Sequence, residues 1–328
     1  MKNRKTSVKK FRGVDFQSQL EAINSANAYN VNAKAFERFW HNGWICYIDL
    51  LAFSEICKRS RQSAINTIVR FHKVIDNAFL MIRGDIYQFT DCCFFISDDL
   101  SATLNFALCV MNGCCAMNRI TFDKKDLVMA HFLLRPRITI AYGEYINASN
   151  LKNGYLSLQV NPSSFLAGAG IVYAYEIERL SFSHAITINL SNSPLKTDNL
   201  FKVGGNSSLS RSGFKKWVEL VQGEKIIHFP WPYVENLYGE NDGIHIVPKD
   251  NESFLMIEHH LFQTIEKMQR EFLCDDIELS AAKHPLALQR FAIELFKNAK
   301  NANQVTDGII EELEKLLSLK AVVSVAKN

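Results

Sequence analysis

The 328-residue sequence contains no CxxC pair, no Walker-type phosphate loop, no GxSxG and no HExxH. Without CxxC there is no basis for structural zinc or dithiol redox chemistry. Without the other three, P-loop NTPase, serine-hydrolase and zincin mechanisms lose their carriers. No uninterrupted apolar run reaches the roughly 20 residues that a bilayer-spanning helix needs. The N-terminus lacks the apolar core of a signal peptide. The chain is therefore expected to be soluble and cytoplasmic, with no membrane partner. Excess charge is also lacking: the net value is +3, too small to suggest a nucleic-acid partner. The basic residues that do cluster, Lys2, Arg4, Lys5, Lys9, Lys10 and Arg12, read as a solvated tail. No internal repeat is present.

What remains is an ordinary globular composition, 48% hydrophobic and 22% charged. The eight cysteines lie mostly in apolar context and read as small buried hydrophobes in a reducing compartment. Residues 1–40 read as a polar leader. An apolar run over 44–50 reads as a buried strand. Residues 53–82 carry helical spacing, with a break near Ser60. Two short runs, 85–89 and 92–96, form a hairpin. Asp98, Asp99 and Ser101 offer caps for a helix to about residue 119. Residues 137–143 form a strand ended by glycine, 168–180 a helix opened by glycine, and 185–188 a further strand.

The order β-α-β-β-α-β-α-β predicts an α+β sandwich of the ferredoxin-like type, with helices on one side of a mainly antiparallel sheet. Residues 191–213 read as a loop, 225–233 as a strand stopped by prolines, and 238–252 as a turn-rich linker. The apolar stripes after 250 predict a C-terminal helical extension. The expected division is a leader over 1–40, a main domain over 41–240 and a helical region over 250–328.

Two acids, Asp49 and Asp91, each end an apolar strand. A carboxylate at the mouth of a buried strand is costly unless it is paired or binds a cation. If strand 44–50 neighbours the hairpin, both carboxylates reach one point. Two converging carboxylates repel unless divalent metal lies between them. The competing readings are that Asp49 merely caps the following helix, or that the two are unrelated turn acids.

The stretch Ile48-Asp49-Leu50-Leu51-Ala52-Phe53-Ser54 resembles the first metal motif of class III nucleotide cyclases. Phe89-Thr90-Asp91-Cys92-Cys93-Phe94-Phe95 is similar to that family's second metal hairpin. Residues 137–143 resemble its arginine-led strand ending in glycine, and 168–178 its last motif, a glycine leading into a helix that ends in an acid. The four motifs follow the family's order over about residues 41–190. The resemblance implies two Mg²⁺ or Mn²⁺ ions held by Asp49 and Asp91, with the Leu50 carbonyl as a further ligand. It also implies phosphate contacts from the amides near Ala52, Phe53 and Ser54. The implied reaction is attack of a ribose 3′-hydroxyl on the α-phosphorus, expelling pyrophosphate, in a homodimer.

The family's base-reading positions depart from its purine pattern. They fall at Tyr87 and near Phe165, and its transition-state Asn and Arg fall near Val172 and Glu176. In keeping both acids while replacing the purine readers, the chain resembles the bacterial pyrimidine cyclases of Pycsar antiphage systems. That implies UTP as substrate, with CTP as the alternative. Tyr47 and Tyr87 would contact the base, and the cyclic UMP formed would be an antiphage signal. The competing reading of each tyrosine is an aromatic core residue. A purine cyclase with unusual base readout and an inactive nucleotide-binding module remain as rival readings. Arg137 could touch phosphate or form an ion pair, and Arg179 has no assigned place.

Overall fold

The computed structural model describes residues 37, 39–51, 53–123, 134, 136–147, 166–181, 186–196, 198, 200–204, 215, 218–219, 221–229, 234–240 and 243–248. The C-terminal helical region expected over 250–328 and nearly all of the expected leader lie outside the described residues, as do Ala52 and Phe165. The chain divides between Trp40 and His41, and the elements described below belong to the part beginning at His41.

In chain order the elements are β1 (His41–Leu50), α1 (Phe53–Arg59), α2 (Arg61–Met81), β2 (Asp85–Gln88), β3 (Cys92–Ser97), α3 (Leu100–Asp123), β4 (Pro136–Asn147), β5 (Leu166–Ala167), α4 (Ala169–Glu176), a 3₁₀ turn (Ile177–Leu180), β6 (Ile186–Asn189), β7 (Phe201–Val203), β8 (Ile226–Phe229), β9 (Val234–Glu240) and β10 (Gly243–Pro248). The break at Ser60 has a local cause. Its hydroxyl accepts from the Ser63 N–H at 3.2 Å, which caps α2 and separates it from α1.

The main sheet runs β2-β3-β1-β4-β6-β8, with β5 paired to β4. Its first four strands are antiparallel and follow the ferredoxin-like order; β6 joins β4 in parallel. Helical crossovers make this possible: β1 and β2 are joined through α1 and α2, β3 and β4 through α3. Strand β1 alternates cleanly. Trp44, Cys46, Ile48 and Leu50 face the main core with Phe71 and Val74 of α2 and Leu104, Phe106 and Met111 of α3. By length and composition alone, Leu100–Asn118 of α3 is apolar enough to cross a membrane, despite the expectation of no such run. It packs into this core, with Leu104, Phe106, Ala107, Val110 and Cys114 fully buried.

The opposite face of β1, through Ile45 and Tyr47, packs with Ala174 of α4. Helices therefore cover both faces, where one-sided cover was expected. The seat of α4 depends on two glycines. A Cβ on Gly143 would lie 2.6 Å from the Gly170 Cα, so backbone meets backbone where β4 and α4 touch. Gly168, just before the helix, has φ of 140°, a conformation that side-chain-bearing residues rarely adopt.

The expected linker over 238–252 is corrected. Strands β9 and β10 pair antiparallel, with Gly243 opposite Glu240, and β7, inside the expected loop over 191–213, joins β10 in parallel. Turn residues near Gly243 mark a hairpin rather than a linker. A domain end at 240 would fall between these two paired strands.

Candidate active site

Register brings the first acid to its neighbours. On the rung before the last of β1, Asp49 lies opposite Cys92 of β3 on one side and Arg137 of β4 on the other. One residue on, the Leu50 N–H donates to the Asp91 carbonyl at 3.0 Å, tying the end of β1 to the β2–β3 turn. Asp91 lies next to Cys92, so both acids come to the same end of the sheet. Its charge is one of those that raise the proton affinity of Asp49. The turn is held further from α2. His72 Nε2 lies 2.8 Å from the Phe89 carbonyl and 3.0 Å from that of Thr90, and because both are acceptors, that nitrogen carries the proton. The Thr90 hydroxyl donates to Asp91 Oδ1 at 3.0 Å.

Asp49 is not the helix cap that the alternative reading supposed. Its carboxylate accepts from Arg137 Nη2 at 2.9 Å, and its side chain is 17% exposed. Burial pushes its pKa up to about 6, against the lowering effect of the Arg137 hydrogen bond and with the help of Glu178. Arg137 also forms an ion pair with Glu178 of the 3₁₀ turn. Arg137 is thus an ion-pairing residue, though part-buried where a surface pair was expected, and one of its two partners is the candidate metal ligand itself. Glu178 reaches this point because α4 is fastened to β4. The buried Thr139 hydroxyl, two residues along from Arg137, donates to the Ala174 carbonyl at 2.6 Å.

Leu50 pairs in register with Pro136, which has no N–H and so cannot engage the Leu50 carbonyl. Phe53 opens α1 with its ring buried, leaving only its backbone to offer, and Ser54 is exposed beside it.

The two tyrosines share a rung with Phe94. Tyr47 of β1 and Tyr87 of β2 are each its register partner, so the three rings share one sheet face. Tyr47 lies tilted against Phe94 with centroids 4.8 Å apart and meets Tyr175 edge-on at 5.7 Å. Both tyrosines are under a tenth exposed. Burial raises both pKa values, that of Tyr87 to about 12; Asp85 adds to this, and a hydrogen bond with Asn147 opposes it. Cys92, hydrogen-bonded to Tyr47, is pushed up to about 11 by burial and then by Asp91 and Asp49, so it is a thiol at neutral pH. Val172, where the family's Asn was expected, is exposed on α4, and Glu176 is exposed at that helix's end. The side chain of Arg179 lies outside the described residues.

Hard divalent cations take oxygen ligands, and Mg²⁺ in particular is held by one or two carboxylates together with substrate phosphates. Two carboxylates and a carbonyl that Pro136 cannot engage suit that mode. Among the described residues no group of three or more His, Cys, Asp or Glu side chains is arranged as a metal cage. His228 Nδ1 lies 3.1 Å from the Thr187 hydroxyl. Glu178 and His72 went unassigned in the sequence. The only signal for Glu178 was an acid ending the last motif.

No protein-family model matches the sequence, and no curated protein is a significant relative. Solved structures similar to the chain are guanylyl and adenylyl cyclases. The guanylyl cyclase Cya2 is 15% identical, over 46% of this chain and 75% of its own, with a TM-score of 0.37. The guanylate cyclase domain of RhGC from Catenaria anguillulae, solved with GTP, is 18% identical over 46% and 79%, with a TM-score of 0.36. A bacterial light-regulated adenylyl cyclase is 15% identical over 53% of each chain, with a TM-score of 0.39. These overlays are distant, and the α+β fold stands on its own strand order and register.

Proposed function

We propose that the chain is a nucleotide cyclase that converts a nucleoside triphosphate to a 3′,5′-cyclic mononucleotide and pyrophosphate. The observation that supports this is that the β1–β3 register and the Leu50–Asp91 backbone bond bring Asp49 and Asp91 to the same end of the sheet. Asp49, Asp91 and the Leu50 carbonyl would hold two Mg²⁺ or Mn²⁺ ions. Bound there, the ions would activate the ribose hydroxyl and neutralise the leaving pyrophosphate. The chain's own part is placement. The backbone tie and the His72 contacts set the spacing of the two carboxylates before substrate arrives. The amides of Phe53 and Ser54 would lie along the phosphates.

The substrate we propose is UTP, with CTP as the alternative, on the grounds of the motif resemblance and the absence of a purine-type lysine or glutamate at Tyr87. The row Tyr47-Phe94-Tyr87 would form the aromatic wall beside the base, although burial leaves little of either tyrosine to contact it. We further propose a cytoplasmic homodimer, a role in antiphage signalling, and the division into leader, cyclase domain and C-terminal helical region. Incubation of the purified chain with each of the four ribonucleoside triphosphates and Mn²⁺, with products resolved by chromatography, tests this. Cyclic UMP or CMP is the expected product. A cyclic purine would overturn the substrate assignment, and no product from any of the four would favour an inactive nucleotide-binding module.

A further inference from the structure

Arg137 stands between two carboxylates from different parts of the chain. Its Nη2 donates to Asp49 at the end of β1 and pairs with Glu178 beyond α4. The three side chains are only 13–20% exposed, so solvent screens them weakly. Among the described residues the buried Arg137 Nε has no hydrogen-bond partner, and Nη2 makes both carboxylate contacts.

One cation shared by two anions matters if a metal must reach one of them. A divalent ion approaching Asp49 competes with Arg137 for the charge of the same carboxylate, whose Oδ2 accepts from Arg137. If Asp49 were the guanidinium's sole partner, metal binding would leave a partly buried cation unpaired, and that cost would be subtracted from metal affinity. With Glu178 present, Arg137 keeps a counter-charge when Asp49 is taken. Resting on the proposed metal site, we propose that Glu178 is a positioning residue: it retains Arg137 while Asp49 exchanges its ion pair for a divalent cation. In this arrangement Glu178 acts through Arg137, which its Oε1 holds, and not as a ligand; the cycle below separates the two roles.

The test is a double-mutant cycle on Mn²⁺ affinity, measured on the full chain without nucleotide by electron paramagnetic resonance titration. Circular dichroism of each variant checks that it folds. Glu178→Gln is expected to weaken Mn²⁺ binding about five- to tenfold, because Arg137 then falls wholly to Asp49. Arg137→Ala is expected to bind at least as tightly as wild type, since the competitor is gone. Adding Glu178→Gln to Arg137→Ala is expected to change affinity by less than about twofold. Glu178→Asp, which keeps the charge, is expected to stay close to wild type. If Arg137→Ala does not fold, Arg137→Met takes its place in the cycle. Equal losses from Glu178→Gln in both backgrounds would overturn the proposal in favour of a direct ligand or a plain field effect; no loss in the single variant would overturn it too. In either case saturable Mn²⁺ binding by wild type would leave the metal site itself standing. No saturable binding by wild type would remove the metal site and this inference with it.

Discussion

The Leu50 N–H donates to the Asp91 carbonyl at 3.0 Å, so the two candidate metal acids are joined by backbone rather than by their own side chains. Removing either carboxylate therefore leaves the scaffold between β1 and the β2–β3 turn in place. Asp91→Ala is expected to keep the wild-type far-ultraviolet spectrum and a Tm within about 2 °C of it. A fall of many degrees would mean that the side chain, not the backbone, holds the turn.

Asp49 gives the metal-free protein a pH dependence with a definite sign. Its ordinary value is 3.8, and burial pushes it up to about 6 in the folded chain. The folded state then binds the proton more tightly than the unfolded state. Ionisation of Asp49 costs stability: nothing below about pH 4, increasingly from there to about 6, and in full above. The full cost is about 1–3 kcal/mol. Asp49→Asn, measured by urea unfolding with chelator present, is expected to be more stable than wild type by that amount at pH 8 and no more stable at pH 4. An unchanged or lower stability at pH 8 would contradict the burial argument.

Close backbone packing of α4 on β4 predicts a second stability effect. A methyl on Gly143 would sit 2.6 Å from the Gly170 Cα, where no flexible side chain can yield. Gly143→Ala is expected to cost about 1–3 kcal/mol. Because α4 leads directly to Glu178, the same variant is expected to weaken the hold on Arg137 and lower Mn²⁺ affinity. A variant with wild-type Tm would show that α4 is seated more loosely on β4 than this packing requires.

The two tyrosines separate packing from readout. Tyr87→Phe loses the hydrogen bond with Asn147, which is expected to cost about 1 kcal/mol. Tyr47→Phe keeps the ring on Phe94 and Tyr175 and is expected to stay within about 1 kcal/mol of wild type. If the row lines the base, either variant shifts the ratio of kcat/KM for UTP and CTP. An unchanged ratio in both would make them core residues only.

Much of this fold was legible in the sequence, for reasons that are local. Asp49 and Asp91 stood out because each ends an apolar strand, and the break at Ser60 because a serine caps the helix that follows it. What was not legible depends on register. Arg137 meets Asp49 across 88 positions of sequence, a pairing that no spacing rule reveals. Glu178 joins them only because Gly143 and Gly170 let α4 sit close to β4. The pair β9 and β10 was missed because turn residues at its hairpin look the same as those of a linker. Tyr87 reads equally well as exposed or buried until Phe94 is placed beside it.

The most direct test of the account is product formation by the wild-type chain and by Asp49→Ala and Asp91→Ala, each incubated with the preferred triphosphate and Mn²⁺ and analysed by mass spectrometry. Cyclic mononucleotide with pyrophosphate from wild type, and neither product from either variant, is the predicted result. Near-normal turnover by either folded variant would contradict the two-carboxylate site.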